Sequence, residues 1–407
     1  MNKYILRVFL AIILLTITLP SAGQVNPVRN TISNGVNIEI TKEAAPKVSI
    51  GMVLPEELPE FSTVFFRDLR LSGYFDPQIL KREAVEVWQG IYVIAEKVSP
   101  SIVEVKVFSS GKELTRIKAV SSNERTLAHK VSDEVIRLLT GQPSIVFTRI
   151  VASRKSGKAR ELVLMDYDGG RVFPLTRDKS LNRYPRLSPD GRSVLYTSHV
   201  NYWPVVYRQE IVSGTRKKVV SYPGLNSAAS FSPTGDRIAL SLSKDGNPEI
   251  YLLNLKSEEL TRLTKEDGAD TSPIFFPDGK SLTFVSDRTG SPQVYRLDLA
   301  TGRSKRLTFE GSYNTSPAVS PDERFLVYTS RIGGQFEIRI IFLETGQDFV
   351  LEAGPNNKED PVFAPDSRHL VFTHTRNYES NLKMLDIFTG DLYNITLDGG
   401  YGTPDWR

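Results

Sequence analysis

A repeat with a step of 44 residues runs through the second half of the chain and constrains its fold more than any other feature. The turns SPDG, SPTG, FPDG, SPDE and APDS place Pro189, Pro233, Pro277, Pro321 and Pro365 at that step. Apolar positions keep the same register: Val194, Ile238, Leu282, Leu326 and Leu370, then, two residues on, Tyr196, Leu240, Phe284, Tyr328 and Phe372. A spacing of two puts each pair on one face of a β-strand. The series Val206, Ile250, Val294, Ile338, Leu382 and the series Leu175, Val219, Leu263, Leu307, Leu351, Ile395 supply a third and a fourth strand. Between these last two strands lie Gly170, Gly214, Gly302, Gly346 and Gly390, where a hairpin favours positive φ, with Glu258 in the remaining copy. Four antiparallel strands repeated every 40 to 45 residues or so are the signature of β-propeller blades.

From Ile145 to Arg407 there are 263 residues, one fewer than six repeats require, a shortfall ascribed to the chain ending inside a turn. The closing GTPDWR matches the inner strand of a blade, and residues 145–176 supply IVFTR, ELVLMDYD and RVFPLT for three more strands. The expectation is a six-bladed ring whose last blade takes its inner strand from the C-terminal end, hiding the edges that a linear array would expose. Aligning Phe147 with Tyr196 implies five extra residues in this blade. That segment holds Arg154, Lys155, Lys158 and Arg160 and reads as a solvated hairpin.

Residues 36–142 mix the two periodicities. Strands are expected at 47–54, 91–98 and 101–108, and a helix over 62–71. Ser121 and Glu124 form a candidate capping box for a second helix with Leu127, Val131, Val135, Leu138 and Leu139 on its apolar face and Gly141 at its end. The fold class is therefore α+β multidomain: a small N-terminal α/β domain at 36–142, then a six-bladed β-propeller at 145–407. Gln142-Pro143-Ser144 leaves almost no linker, so the two are expected to pack together. Residues 1–23 read as an export signal, with Lys3 and Arg7 before an apolar run and cleavage after Gly23, and 24–35 as a short extension.

The absence of cysteine excludes disulfides, thiolate metal sites and thiol nucleophiles. The net charge of +4 comes without a basic run, which speaks against nucleic-acid binding. Catalytic signatures are equally scarce. Gly191-Arg-Ser193, Gly279-Lys-Ser281 and Gly302-Arg-Ser304 lack the closing glycine of a nucleophile elbow, and Gly279-Lys280-Ser281 lacks the upstream glycine of a phosphate loop. His129 with Asp133 one turn on reads as a surface pair, and His369 and His374 face opposite ways on one strand. Asp166-Tyr-Asp168-Gly169 starts like a calcium loop but has no distal Glu, so a hairpin turn is the preferred reading. No catalytic residue, metal or cofactor is assigned.

FRDLRLSGYFDP (66–77), AHKVSDEVIRLLTGQPSIVFTRI (128–150) and the SPDG propeller together resemble the TolB family, the periplasmic component of the Tol-Pal system, over nearly all of the chain after the signal. The resemblance implies a non-enzymatic periplasmic scaffold. It would bind Pal, the peptidoglycan-associated lipoprotein, at the propeller and TolA through its N-terminal segment, supporting outer-membrane integrity and cell division. It would act as a monomer, peripheral to the outer membrane through Pal. The alternative is a secreted propeller hydrolase or a calcium-dependent binder; the hydrolase needs a further α/β-hydrolase domain for which the N-terminal region has no room.

Residues entering each inner strand recur with the blade: Asn182-Arg183-Tyr184, Asn226-Ser227-Ala228, Asp270-Thr271-Ser272, Asn314-Thr315-Ser316, Lys358-Glu359-Asp360 and Tyr401-Gly402-Thr403. They read either as turn formers or as a ring of donors and acceptors around the channel mouth. With the TolB resemblance, Asn182, Arg183, Asn226, Ser227, Asp270, Thr271, Asn314, Thr315, Glu359 and Asp360 become the candidate partner-binding residues. In the N-terminal VNIEI, Val36, Ile38 and Ile40 share one face of a strand that could add to a partner's sheet or fold back. The same resemblance makes them the candidate TolA contact.

Overall fold

A computed structural model describes residues 46–352 and 354–407. The signal, the extension and Val36, Ile38 and Ile40 lie outside the described residues. In the N-terminal domain, strands β1 (Val48–Val53), β2 (Phe75–Ile79), β3 (Ile91–Ser99), β4 (Ile102–Ser109) and β5 (Lys112–Val120) form one sheet in the order β2-β1-β3-β4-β5. β1 runs parallel to both its neighbours, and β3 to β5 form an antiparallel meander. The alternation along β4 decides its faces. Val103, Val105 and Val107 are fully buried in a core shared with helices α1 (Pro59–Leu71) and α2 (Glu124–Thr140), while Lys106 on the other face pairs with Glu96 at 2.8 Å.

The helix caps differ from the sequence reading. α1 starts three residues earlier than expected, with proline in its first turn, where no intrahelical donor is lost. Asn123, not Ser121, caps α2, its side chain accepting from the Thr126 N–H at 2.9 Å. The Glu124 carboxylate instead crosses to α1 and accepts from the N–H groups of Glu60 and Phe61, each at 3.1 Å. It thereby satisfies two orphan donors of the neighbouring helix and places a negative charge at that helix's positive end. Leu138 is exposed, so the apolar stripe of α2 is narrower than its spacing suggests.

The propeller consists of six four-stranded sheets. Blades 1 to 5 start from the inner strands Asn182–Leu187, Asn226–Phe231, Asp270–Phe275, Asn314–Val319 and Asn357–Phe363. Blade 6 sets Tyr401–Trp406 innermost, beside Arg149–Ser156, Ala159–Asp166 and Phe173–Pro174. The repeat positions form the layers between blades: the series from Val194, Tyr196 and Val206 are all buried. Two register expectations change. Ile150 pairs with Trp406 as Val194 pairs with Leu187, so the 44-residue step reaches Ile150 unbroken and the five-residue insertion does not exist. Phe147, the residue aligned with Tyr196, lies before the strand and is exposed. The residue missing from the ring is lost before the last inner strand, not at the C-terminal turn. Its trace is the left-handed position of each inner strand, which falls at Tyr184, Ala228, Ser272, Ser316 and Asp360 and then, one residue early, at Thr403.

The α/β domain and the propeller share one core: Phe65, Leu69 and Val131 pack in the same cluster as Val371, Met384 and Trp406. Arginine–carboxylate pairs surround it. Arg125 donates to Asp166 at 2.9 Å and also meets Asp168, which Arg67 engages as well. The calcium-like run is thus a hairpin turn whose carboxylates are taken up by arginines. Arg368 pairs with Asp386 at 2.7 Å and donates to the Gly73 carbonyl at 2.8 Å. Gly73 sits at φ +77°, and a Cβ there would fall onto the Asp386 carboxylate and the Arg368 guanidinium, so no other residue fits. His129 is not in a surface pair with Asp133. It is buried, with Nδ1 2.8 Å from Asp68, whose other oxygen accepts from the Tyr167 hydroxyl at 2.6 Å. Asp133 instead pairs with Arg137 and accepts from Ser144.

Two outcomes test this account. Trp406 is 2% exposed and donates its indole N–H to Thr148 at 2.8 Å, so Trp406→Ala is expected to cost about 3–5 kcal/mol in thermal unfolding. Deleting residues 402–407 should unfold the propeller cooperatively. Burial alone pushes the Asp168 carboxyl up, and the Arg67 and Arg125 guanidiniums more than offset it, holding the group below its ordinary range. A depressed carboxylate stabilises the fold at and above neutral pH, and that stabilisation is lost as pH falls through its folded-state pKa. Arg125→Met is therefore expected to lower the melting temperature at neutral pH and to lower it much less in strong acid.

Candidate functional site

Each inner strand begins at one end of the ring, which fixes what that end presents. The α/β domain occupies the other end, where Asp166, Asp168, Arg368 and Asp386 lie in or beside the turns that it covers. The mouth end, which no other described residues cover, holds a cavity of about 610 Å³, lined among others by Arg160, Arg183, Thr271, Thr315, Glu359 and Asp360. Beneath it the channel narrows to a pocket of about 40 Å³ between Arg186, Ala229, Ile274, Pro317, Val362 and Pro404.

A β-bulge shapes this mouth. In every blade the pairing of the inner strand slips one or two residues beyond its start. At the slip one non-glycine residue takes positive φ: Tyr184, Ala228, Ser272, Ser316, Asp360 and Thr403, between +46° and +56°. Hydroxyls on the second strand of the preceding blade hold two of these turns, Ser241 accepting from the Ser272 N–H at 3.0 Å and Thr329 from the Asp360 N–H at 3.1 Å. Bulges re-aim the side chains next to them, and here the six residues line the mouth or the channel beneath it.

The bulge also divides the candidate residues. In blades 1 to 4 the first position of the triplet faces into the sheets and away from the mouth, whereas Tyr401 of blade 6 lines the cavity. Asn182 is fully buried and donates to Glu161 of blade 6 at 3.1 Å and to Asp178 at 2.8 Å. Asn226 closes its own loop through the backbone of Tyr222, Asp270 pairs with Arg288 at 2.7 Å, and Asn314 donates to Gln293 of blade 3 at 2.7 Å. All four are 0% exposed, so they serve as latches within and between blades and offer nothing to a partner in this structure. Ser227 is likewise enclosed, against Thr197 of blade 1. Arg183, Thr271, Thr315, Glu359 and Asp360 do line the cavity.

Several lining residues escaped the sequence reading. Arg160, read as part of a solvated hairpin, is half-buried at the mouth and donates to Ser153 and to the Gly400 carbonyl, each at 3.3 Å. Tyr313 and Phe336 meet edge to face, ring centroids 6.1 Å apart, in the cavity wall. Loops at this end also expose Tyr202, Trp203, Tyr222, Phe309, Tyr378 and Leu397, with Trp203 71% exposed. Phe147, Phe173, Phe342 and Phe388 are exposed toward the other end, but the most exposed aromatics, Tyr202, Trp203, Phe309 and Tyr378, all lie on the mouth loops, as a contact surface requires. Their signal in the sequence was an aromatic inside a predicted loop, visible only once the loops are known to share one end.

A family model described as "TolB beta propeller domain" matches residues 136–406. The chain belongs to the TolB β-propeller family. The Tol-Pal system protein TolB of Chromobacterium violaceum is 34% identical over 219 residues, which is 47% of this chain and 51% of that protein. The protein of the same name from Nitrosomonas europaea is 41% identical over 104 residues, 26% of this chain and 24% of its own. The chain thus spans about half the length of the first of these curated relatives. The crystal structure of TolB from Acinetobacter baumannii matches with a TM-score of 0.80 at 28% identity, covering 89% of this chain and 96% of that one. Such coverage takes in the α/β domain as well as the TolB propeller.

The left-handed ring gives a direct test of its own strain. Ala228 holds φ +50° with no side-chain hydrogen bond to lose, so Ala228→Gly is expected to stabilise the fold by roughly 1 kcal/mol, read as a higher melting temperature.

Proposed function

We propose that this TolB-family chain is a periplasmic protein-binding scaffold of the Tol-Pal system, exported with cleavage after Gly23 and acting as a monomer. Its propeller mouth receives a Pal-type peptidoglycan-associated lipoprotein, and its N-terminal segment, with Val36, Ile38 and Ile40, engages TolA. Through Pal it is peripheral to the outer membrane, and its role is in outer-membrane integrity and cell division. The observation that carries this reading is the mouth end of the ring: a cavity of about 610 Å³ with exposed aromatics on the loops of the same end. Aromatic anchors around a concave polar centre suit a protein partner. A hydrolytic reading gains no support, because His129, Asp68 and Tyr167 are enclosed between the two domains and away from the mouth.

The test is binding of the soluble domain of the cognate Pal-type lipoprotein, measured by calorimetry. Thr271→Trp and Thr315→Trp fill the cavity and are expected to weaken binding by about tenfold or more. Val212→Asp, on a 99% exposed residue at the opposite end of blade 1, should leave it unchanged. No binding by the unmodified chain would refute the function, and unchanged binding by both tryptophan variants would refute the site.

A further inference from the structure

Charge in the mouth is sorted by blade. Arg160 of blade 6 and Arg183 of blade 1 make a basic sector, and Glu359 and Asp360 of blade 5 make an acidic one. Blades 3 and 4 present Thr271, Ser272, Thr315, Ser316, Tyr313 and Phe336, with Asp287 as the one charge there among the lining residues. Among the described residues, none of Arg160, Arg183, Glu359 and Asp360 has an oppositely charged partner within ion-pair distance. Asp360 accepts from the Ser316 hydroxyl at 2.7 Å, and Arg160 has only Ser153 and the Gly400 carbonyl.

Lys358, 2% exposed, is held by the carbonyls of Gly354, Pro355 and Asn356, but other enclosed charges of the molecule are ion-paired. Arg125, Arg288, Arg339 and Arg368 each meet carboxylates, and Glu249, at 0% exposure, is met by Arg262 at 2.9 Å. Arg160, Glu359 and Asp360 are half-buried and Arg183 is exposed, so part of their hydration is already lost, and like charges side by side in a concavity favour the arrival of an opposite charge. The titration directions agree. Burial, then repulsion from Arg183, lowers Arg160 from its ordinary value, and burial, then repulsion from Asp360, raises Glu359. A visitor carrying the opposite charge would relieve each of them.

We propose that the mouth selects a polypeptide segment carrying an acidic and a basic side chain close together, the acidic one received by Arg160 and Arg183 and the basic one by Glu359 and Asp360. The neutral part of the segment lies along Thr271, Thr315, Tyr313 and Phe336, a wall that a free inorganic ion would leave unused. A cavity of about 610 Å³ suits a few residues of chain. The inference rests on the mouth being a protein-binding site, but it goes further in specifying the chemistry of what enters.

The experiment uses the full chain and five blocked octapeptides that differ only in charge: one Glu and one Lys two residues apart, in each of the two orders, two Glu, two Lys, and neither. Fluorescence anisotropy at low salt is expected to show a mixed-charge peptide binding at least about tenfold tighter than the other classes, an advantage that shrinks as salt is raised. Both Glu359→Gln/Asp360→Asn and Arg160→Gln/Arg183→Gln should abolish that advantage. Melting curves check that the variants fold, and the panel on the unmodified chain decides the matter if they do not. Equal binding of all classes, or binding of none, overturns the proposal. Loss of peptide discrimination while the Pal-type domain still binds sinks this inference alone. Clear discrimination without binding of that domain supports it and sinks only the choice of partner.

Discussion

The pairing of Tyr401–Trp406 with Arg149–Ser156 is the interaction on which the rest of the structure depends. Without it blade 6 lacks its inner strand, blades 1 and 5 lose a packed neighbour, and the six bulges no longer form a ring. The joint is reinforced at both ends of the strand. Backbone bonds tie Arg149 to Arg407 in both directions, at 2.6 and 3.0 Å, and Lys155 to Gly400 at 2.9 Å. Asp405 then reaches out of blade 6 to accept from the Leu187 N–H of blade 1 at 2.7 Å. Closure therefore fixes the strand in its own blade and couples it to the next. Because Trp406 also belongs to the core shared with α1 and α2, the same strand anchors the α/β domain.

A 44-residue period made the propeller legible in the sequence, since every repeat position carries the same burden of burial and cannot drift. The α/β domain was legible where one face alternates cleanly, as in β4. It was not legible in β2, where Pro77 interrupts the pattern, or in β5, where charged residues occupy both faces of an edge strand. The misplaced register at Phe147 has a physical cause. Aromatic identity was matched to Tyr196, whereas the position is filled by Ala152, which is buried in the core that the α/β domain shares.

The candidate site was legible as a segment but not as side chains. Which of three consecutive residues faces the mouth depends on the bulge, and a left-handed turn at Tyr184, Ala228 or Asp360 has no glycine to announce it. Strict alternation would have sent the first and third positions the same way. The slip in register separates them, leaving Asn182, Asn226, Asp270 and Asn314 inside as latches while their successors turn toward the channel. Polar character alone could not distinguish a latch from a contact residue, because both roles call for hydrogen-bonding groups.

The two ends of the ring resolve the same electrostatic problem in opposite ways. Under the α/β domain, Arg67, Arg125 and Arg368 meet Asp168, Asp166 and Asp386, and removing Arg368 would strand the fully buried Asp386 carboxylate. That end is committed: its carboxylates are already met by basic side chains from both the α/β domain and the propeller. At the mouth, Arg160, Arg183, Glu359 and Asp360 have no ion pair among the described residues although both signs are present on neighbouring blades. Neutral groups hold two of these charges instead: Asp360 accepts from the Ser316 hydroxyl of blade 4 at 2.7 Å, and Arg160 donates to Ser153 and to the Gly400 carbonyl, each at 3.3 Å. Such partners fix the position of a charge without cancelling it, so the mouth keeps its two signs in separate sectors.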